Sequence, residues 1–179
     1  MTIRFRLTTA FTLVNLSFVV VTSAQHSAMP PGMTDEQHLA QLKKEAAMKQ
    51  HGHIAMGFNQ DKATHHFTLT SDGGTIAVMA NDAADQSTCD QIRTDLVEIA
   101  QAFGKGDFQK PFITHGEMPP GVGVMQRLKA EITYTFEQTD RGGVVRITTS
   151  NATALKGAHE FLRYQITEHA SVDPVTLQQ

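Results

Sequence analysis

The feature that most constrains the fold is a stretch of alternating residues with paired glycines, which occurs twice. In residues 65–81, apolar side chains occupy every second position on either side of Asp72-Gly73-Gly74. Strict alternation around a glycine-rich turn predicts a β-hairpin, because glycine adopts the positive φ angles that tight hairpin turns require. The second stretch spans residues 132–150 and turns at Asp140-Arg141-Gly142-Gly143.

The two hairpins belong to an internal ββα repeat. An amphipathic helical segment follows each hairpin, at about residues 85–103 and again after Asn151, which is placed to cap the second helix. The pairs that align without gaps are Phe67 with Phe136, Gly73 with Gly142, Ile76 with Val145, and Val78 with Ile147. The repeat predicts an α+β fold, a two-layer sandwich in which a four-stranded antiparallel sheet carries two helices on one face.

The alternation also predicts that the two faces of the sheet differ. The inward side chains are His65, Phe67, Leu69, Ile76, Val78, Ile132, Tyr134, Phe136, Val145 and Ile147. The outward side chains are polar and rich in threonine, namely His66, Thr68, Thr70, Thr75, Met79, Thr133, Thr135, Arg146 and Thr148. This outward face is either hydrated or a surface for pairing with a second copy or another protein.

The first 24 residues have the layout of a secretory signal peptide. Arg4 and Arg6 precede a mostly apolar run at residues 10–21, and the small residues Thr22-Ser23-Ala24 follow it. The apolar run is shorter than the roughly 20 residues that a spanning helix needs. We therefore predict export to the periplasm or the medium of a bacterium, without stable membrane insertion after cleavage; an uncleaved anchor is the alternative.

The rest of the chain is long enough for one domain. We predict a flexible leader with a marginal helix at residues 25–55, the repeat domain at 56–170 and a C-terminal tail at 171–179. Acidic residues outnumber basic ones, and the absence of a Lys/Arg cluster argues against a nucleic-acid partner. The single cysteine, Cys89, falls on the apolar stripe of the first repeat helix, which predicts a core position rather than a nucleophile.

One run of residues resembles a family of small exported bacterial proteins. Gly57-Phe58-Asn59-Gln60 followed by Thr64-His65-His66-Phe67 is similar to the GF(D/S)Q…THHF signature of that family. The resemblance covers most of residues 56–169 and includes Pro119-Pro120-Gly121. It implies no activity and no catalytic residues. Some members carry the label aspartate carbamoyltransferase, which does not suit this chain because it has no phosphate loop and no βαβ alternation.

The chain contains nine histidines, and these supply the candidate binding residues. In an exported protein, neutral imidazole and thioether groups suit Cu or Zn. His65 faces inward on the first strand, and His159 lies in the buried arc of the second repeat helix. His115 lies on the segment between the repeats, so we predict a metal site at His65, His115 and His159. The alternative is that each ring is hydrogen-bonded to backbone or to Tyr134.

A weaker candidate set consists of His51, His53 and Met56. In an extended chain, a spacing of two places both imidazoles on one side, where they can chelate one ion. The residues around this set favour an extended arm or a short extra strand, because Ile54, Met56 and Phe58 alternate.

Known enzyme signatures do not fit the chain. His159-Glu160 is followed by Arg163 where the HExxH motif needs histidine, and no G-x-S-x-G sequence occurs. The leading hypothesis is an exported, non-enzymatic binding module for a transition metal, Cu or Zn. The alternative is an interaction or dimerisation domain that uses the threonine-rich face. Metal-dependent hydrolysis is a third class, without support in the sequence.

Overall fold

The structure is a computed structural model that describes residues 32–178; the predicted signal peptide at residues 1–24 lies outside the described residues. None of the described helices is both long and apolar enough to cross a lipid bilayer. The elements in chain order are α1 (Asp35–Met56), β1 (Ala63–Thr70), β2 (Gly73–Ala80), α2 (Gln86–Lys105), α3 (Gln109–His115), α4 (Val122–Arg127), β3 (Thr133–Thr139), β4 (Gly142–Thr148) and α5 (Ala152–Glu168).

All four strands form one antiparallel sheet in the order β1-β2-β4-β3, with helices packed on it, which confirms the α+β prediction. The helices exchange places between the repeats. The α2 helix, from the first repeat, packs mainly on β3 and β4, and α5, from the second repeat, packs on β1 and β2. Each helix therefore covers mainly the hairpin of the other repeat, which ties the two halves into one core.

The two repeats meet at a pseudo-twofold axis between β2 and β4. Ile76 pairs with Val145, which is its own equivalent in the second repeat. The neighbouring pairs follow the same symmetry. Gly74 pairs with Ile147, and their equivalents in the other repeat, Gly143 and Val78, also pair with each other. The ladder is thus symmetric in register.

The glycines act in the strands rather than in the turns, which corrects one prediction. The loop of the first hairpin consists of Ser71 and Asp72, whereas Gly73 already pairs with Thr70. Ala170 is the only non-glycine residue with positive φ within residues 32–178, so the two loop residues have negative φ. The hairpins therefore do not use the primed turns that the glycines suggested.

The glycines are required because strands approach closely at these positions. A Cβ atom on Gly73 would lie 1.9 Å from the carbonyl oxygen of Ile147. The symmetry-related Gly142 has the equivalent neighbour, since its Cβ would lie 2.2 Å from the carbonyl oxygen of Val78. These residues also have φ angles of 155° and 159°, which side-chain-bearing residues rarely adopt.

Two segments outside the repeat differ from the predictions. The predicted extended arm is wrong, because α1 continues to Met56 and ends where Gly57 adopts φ 76°. The segment between the repeats contains α3 and α4. Pro111 is the third residue of α3, in the first turn, where an intrahelical N–H is not needed. The α1 helix packs against α3, so the predicted leader contacts the repeat domain.

The end of the chain adds to the exposed edge of β1. The side chain of Asp173 accepts a hydrogen bond of 2.9 Å from the backbone N–H of Phe67. Further along, Leu177 forms a parallel bridge with Leu69, and the N–H of Gln178 donates to the carbonyl oxygen of Leu69 over 2.8 Å. The last residues that the structure describes therefore occupy hydrogen-bonding groups of this edge strand.

Several local predictions are confirmed. Cys89 is fully buried in the core. Asn151 caps α5, because its Oδ1 accepts hydrogen bonds from the backbone N–H groups of Thr153 and Ala154. At the start of α1, which was predicted only as a marginal helix, Thr34 forms a capping box with Gln37. These caps satisfy N–H groups that the first turn of a helix otherwise leaves without partners.

Replacing Gly73 with alanine should lower the free energy of unfolding by about 2–4 kcal/mol, because the new methyl group collides with backbone. Gly104 is a matched control, since it lies inside α2 with no atom within 4 Å of an added Cβ. Gly104→Ala should instead stabilise the protein by about 0.5–1 kcal/mol. Urea unfolding of both variants measures this contrast, and equal effects would contradict the close-approach explanation.

Candidate functional site

The structure does not bring His159 together with the other predicted ligands. Its Nε2 atom lies 2.9 Å from the carbonyl oxygen of Thr70 and 3.0 Å from that of Gly73, at the hairpin end of β1. Both partners are acceptors, so Nε2 carries the proton and donates to them. The buried His159 thus ties α5 to the first hairpin, in agreement with the alternative of a backbone-bonded ring.

His65 and His115 instead lie close to His169, and these three residues form what we call the histidine cluster. The ring centroids of His65 and His169 lie 4.9 Å apart, and those of His115 and His169 lie 5.3 Å apart. His169 follows the last turn of α5. Since α5 runs antiparallel to β1, its C-terminal end meets the start of the strand, where His65 lies.

The position of His169 is fixed by the way α5 ends. The backbone N–H of Ala170 donates to the carbonyl oxygen of Thr167 over 3.2 Å, and that of Ser171 donates to Ile166 over 3.1 Å. These bonds form a Schellman motif, with Ala170 at φ 46° in the position that glycine usually occupies. The motif turns the chain sharply after His169 while its ring remains against the cluster.

Gln165 fixes the orientation of His115. The Nε2 atom of His115 lies 3.0 Å from Oε1 of Gln165, one turn before His169 on α5. Because an amide oxygen only accepts, Nε2 of His115 is protonated and donates this bond. The lone pair of the neutral ring is therefore on Nδ1, which is buried and has no hydrogen-bond partner among the described residues.

The histidine cluster lines a small buried cavity of about 40 Å³ between the helices and β1. Met56 and the ion pair of Asp95 and Lys110 also line it. Four of the residues that line it each have a buried polar atom without a hydrogen-bond partner among residues 32–178: Nε2 of His65, Oδ2 of Asp95, Nδ1 of His115 and Nε2 of Gln165. Buried polar atoms are nearly always paired, so four unpaired ones on residues around one cavity are unusual, although the surface of the cavity itself is mainly apolar.

The cavity adjoins the protein surface. A surface pocket of about 350 Å³ shares His65 and His169 with it and extends between α1, β1 and the residues that follow α5. Lys49, Asp61 and Ser171 are among its polar lining residues. The two pockets therefore meet at these two histidines.

The environment keeps the cluster neutral at physiological pH. Burial, and then the nearby His66, lowers the pKa of His65 to about 4. Burial lowers the pKa of His169 well below its usual value, with smaller contributions from its two cluster neighbours, and burial also lowers the pKa of His115. Neutral imidazoles keep a free lone pair, which is the form that binds metal ions.

Asp95 and Lys110 form an ion pair on the other side of the cavity. The Nζ atom of Lys110 lies 2.5 Å from Oδ1 of Asp95 and 2.7 Å from Oε2 of Glu98. Burial raises the pKa of Asp95 to about 6 although Lys110 opposes this shift. Burial alone would lower the pKa of Lys110, but the hydrogen bonds to both carboxylates and their charges together raise it. At pH 7 the pair is therefore mainly ionised and internally compensated.

The weaker candidate set is also separated by the fold. His51 and His53 are exposed on α1, and two positions along a helix are about 200° apart around its axis. Their imidazoles therefore point away from each other, whereas Met56 turns inward to the cavity. Within residues 32–178, no group of three or more His, Cys, Asp or Glu side chains already has the arrangement of a metal site.

Comparisons with protein-family models, curated proteins and solved structures found no match for this chain. The resemblance to small exported proteins with the GF(D/S)Q…THHF signature therefore stays a prediction.

The metal-free protein should lose stability as the pH falls from about 6.5 to about 4. In this window the unfolded chain binds protons at its histidines, whereas the folded chain excludes them from the cluster, so protonation favours unfolding. His65 alone should contribute about 3 kcal/mol by pH 4. Asp95 acts in the opposite direction between pH 3.8 and about 6, but it is one group against three.

Urea unfolding with a chelator present, at pH 7.5 and pH 4.5, measures this loss. His65→Phe keeps an aromatic ring between Phe58 and Phe67 and should show a smaller decline. Replacement of the exposed His51 by glutamine should leave the decline as it is in the parent chain. The same decline in His65→Phe and in the parent chain would show that His65 is not excluded from protonation.

Proposed function

We propose that this protein is an exported, non-enzymatic binding module that takes up one transition metal ion, Cu or Zn, at the histidine cluster. The observation that carries the proposal is the set of neutral imidazoles around one cavity, two of which have a buried ring nitrogen without a hydrogen-bond partner among residues 32–178. The predicted signal peptide supports the exported location. Binding replaces the missing hydrogen bonds of these nitrogens with metal bonds.

The spacing of the rings agrees with this use. Two imidazoles that bind one ion at about 2.0–2.1 Å with tetrahedral angles have ring centroids about 5 Å apart. The distances of 4.9 Å and 5.3 Å in the histidine cluster match this value. The planes of His65 and His169 are only 28° apart, so their rings stack and do not yet point at a common centre. Ion binding therefore requires rotation of a ring about its side-chain bonds while the backbone stays in place.

Gln165 supports the same proposal as a positioning residue. A histidine that ligates a metal usually donates its second ring N–H to an acceptor, which fixes the tautomer and strengthens the ligand. The bond between His115 and Gln165 has this geometry.

The size of the cavity favours binding over catalysis. A water molecule occupies about 10–15 Å³ on this measure of volume, so a cavity of about 40 Å³ accommodates an ion and one or two waters. An organic substrate could reach the rings only from the surface pocket.

A metal titration of protein purified after expression of the full chain tests this function. Addition of Zn(II), Cu(II) or Cu(I) should raise the melting temperature with one equivalent bound, and metal at 100 times its Kd should stabilise the fold by about 2.7 kcal/mol. His169→Gln should remove the effect. His51→Gln should keep it.

His159→Gln provides a second control, because it removes a buried histidine that is not in the cluster. This variant should be less stable than the parent chain but should gain the same stability from metal. Failure of every metal to bind the parent chain, or loss of binding in His159→Gln with retention in His169→Gln, would overturn the proposal.

A second candidate function is pairing with another copy through the threonine-rich face. Thr133, Thr135 and Arg146 of this face are exposed, and Thr75 and Met79 are half-buried. If the face pairs, light scattering should give twice the mass of one chain, and a charge introduced by Thr75→Lys near the pseudo-twofold axis should restore the single mass. A single mass for the parent chain at high concentration would exclude this candidate.

A further inference from the structure

We infer that the ion is cuprous copper and that the thioether of Met56 binds it together with imidazoles of the histidine cluster. This inference rests on the proposed function, because it requires that the cluster binds a metal. It adds the oxidation state of the copper ion, the preference of the site for Cu(I) over Zn(II), and one further ligand. The spacing in the sequence had grouped that ligand, Met56, with His51 and His53.

The fold directs Met56 to the cluster. Met56 is the last residue of α1, and the left-handed Gly57 closes the helix with a hydrogen bond of 3.0 Å from its N–H to the carbonyl oxygen of His53. The next residue, Phe58, is buried. Met56 itself packs against the core and lines the same cavity as His65 and His169.

The chemistry of the ligands selects copper in its lower oxidation state. A thioether is a soft, uncharged ligand that favours Cu(I), whereas Zn(II) is usually bound by imidazole, thiolate and carboxylate. The single thiol, Cys89, is buried on α2 and does not line this cavity. Imidazoles and a thioether therefore form a set that suits Cu(I) better than Zn(II).

The charge of the site leads to the same choice. All the proposed ligands are neutral, so the bound ion keeps its full charge inside the protein. The carboxylate on the cavity wall is that of Asp95, which is already engaged in an ion pair with Lys110, a lysine that it shares with the exposed Glu98. Burying a monocation costs much less free energy than burying a dication, because the desolvation cost rises with the square of the charge.

A second methionine lies on the route from solvent. Met48 lines the surface pocket that meets the cavity at His65 and His169. Met48 and Met56 are both on α1, about two turns apart. Soft ligands therefore occur both in the outer pocket and at the cluster, an arrangement that suits uptake of a soft ion.

Competition with a coloured Cu(I) chelator, under anaerobic and reducing conditions, tests the inference. Met56→Leu retains the size and apolar character of the side chain, so the fold should be preserved. This change should weaken Cu(I) binding at least about 10-fold and change Zn(II) binding less than about twofold, because only Cu(I) gains from the thioether. Met118→Leu is the matched control, since Met118 is exposed and lies outside the cavity lining, and it should bind Cu(I) as the parent chain does.

X-ray absorption of the copper-loaded protein gives an independent measurement. A sulfur neighbour of copper in the parent chain, and its loss in Met56→Leu, would support the inference. Unchanged Cu(I) affinity in Met56→Leu, or a first shell without sulfur, would overturn it while the proposed metal function stood. Absence of any Zn or Cu binding in the parent chain would overturn both.

Discussion

Backbone contact between β2 and β4 is the constraint on which the rest of the structure depends. The first two residues of each strand are glycines. An added Cβ on Gly73 or Gly142 would lie within 2.2 Å of a carbonyl oxygen of the other strand, whereas one on Gly74 or Gly143 would collide with the hairpin partner, β1 or β3. The strands can therefore pair closely about the pseudo-twofold axis, with Ile76 and Val145 at its centre. This pairing places the end of each hairpin beside the other repeat, so that α2 and α5 cross over and close one shared core.

Local sequence patterns were sufficient to predict this fold, because each repeat specifies its own elements. Alternation predicted the strands, and the residue type at the start of the second repeat helix predicted its cap at Asn151. The patterns were insufficient where tertiary packing decides. The segment around Ile54 has strand-like alternation but forms helix, and α3 has only seven residues, too few for a clear period.

The candidate site was predicted only in part. Periodicity predicts the face of a helix on which a side chain lies, but it does not predict which part of the neighbouring strand that side chain meets. His159 and His169 are both on the inward side of α5, but ten residues of helix separate them by about 15 Å. His159 meets the hairpin turn at Gly73, and His169 meets His65 at the opposite end of β1. The sequence did contain an indication of His169, which follows the buried Ile166 at a spacing of three and so continues the stripe of α5.

Because of the pseudosymmetry, equivalent residues of the two repeats can be compared to distinguish those that the fold requires from those that the site requires. In the other repeat, the positions that correspond to His65, Gln165 and His169 are Tyr134, Leu96 and Ala100. There the sheet end is filled by aromatic packing, with Phe103 placed 4.2 Å from Phe108 and 5.7 Å from Tyr134. A requirement of the fold would act on both ends alike. Aromatic packing meets it at one of them, where the buried hydroxyl of Tyr134 also has no hydrogen-bond partner among the described residues. Burying neutral histidines at the other end costs stability that the fold does not require, and this asymmetry supports the proposal that their side chains serve binding.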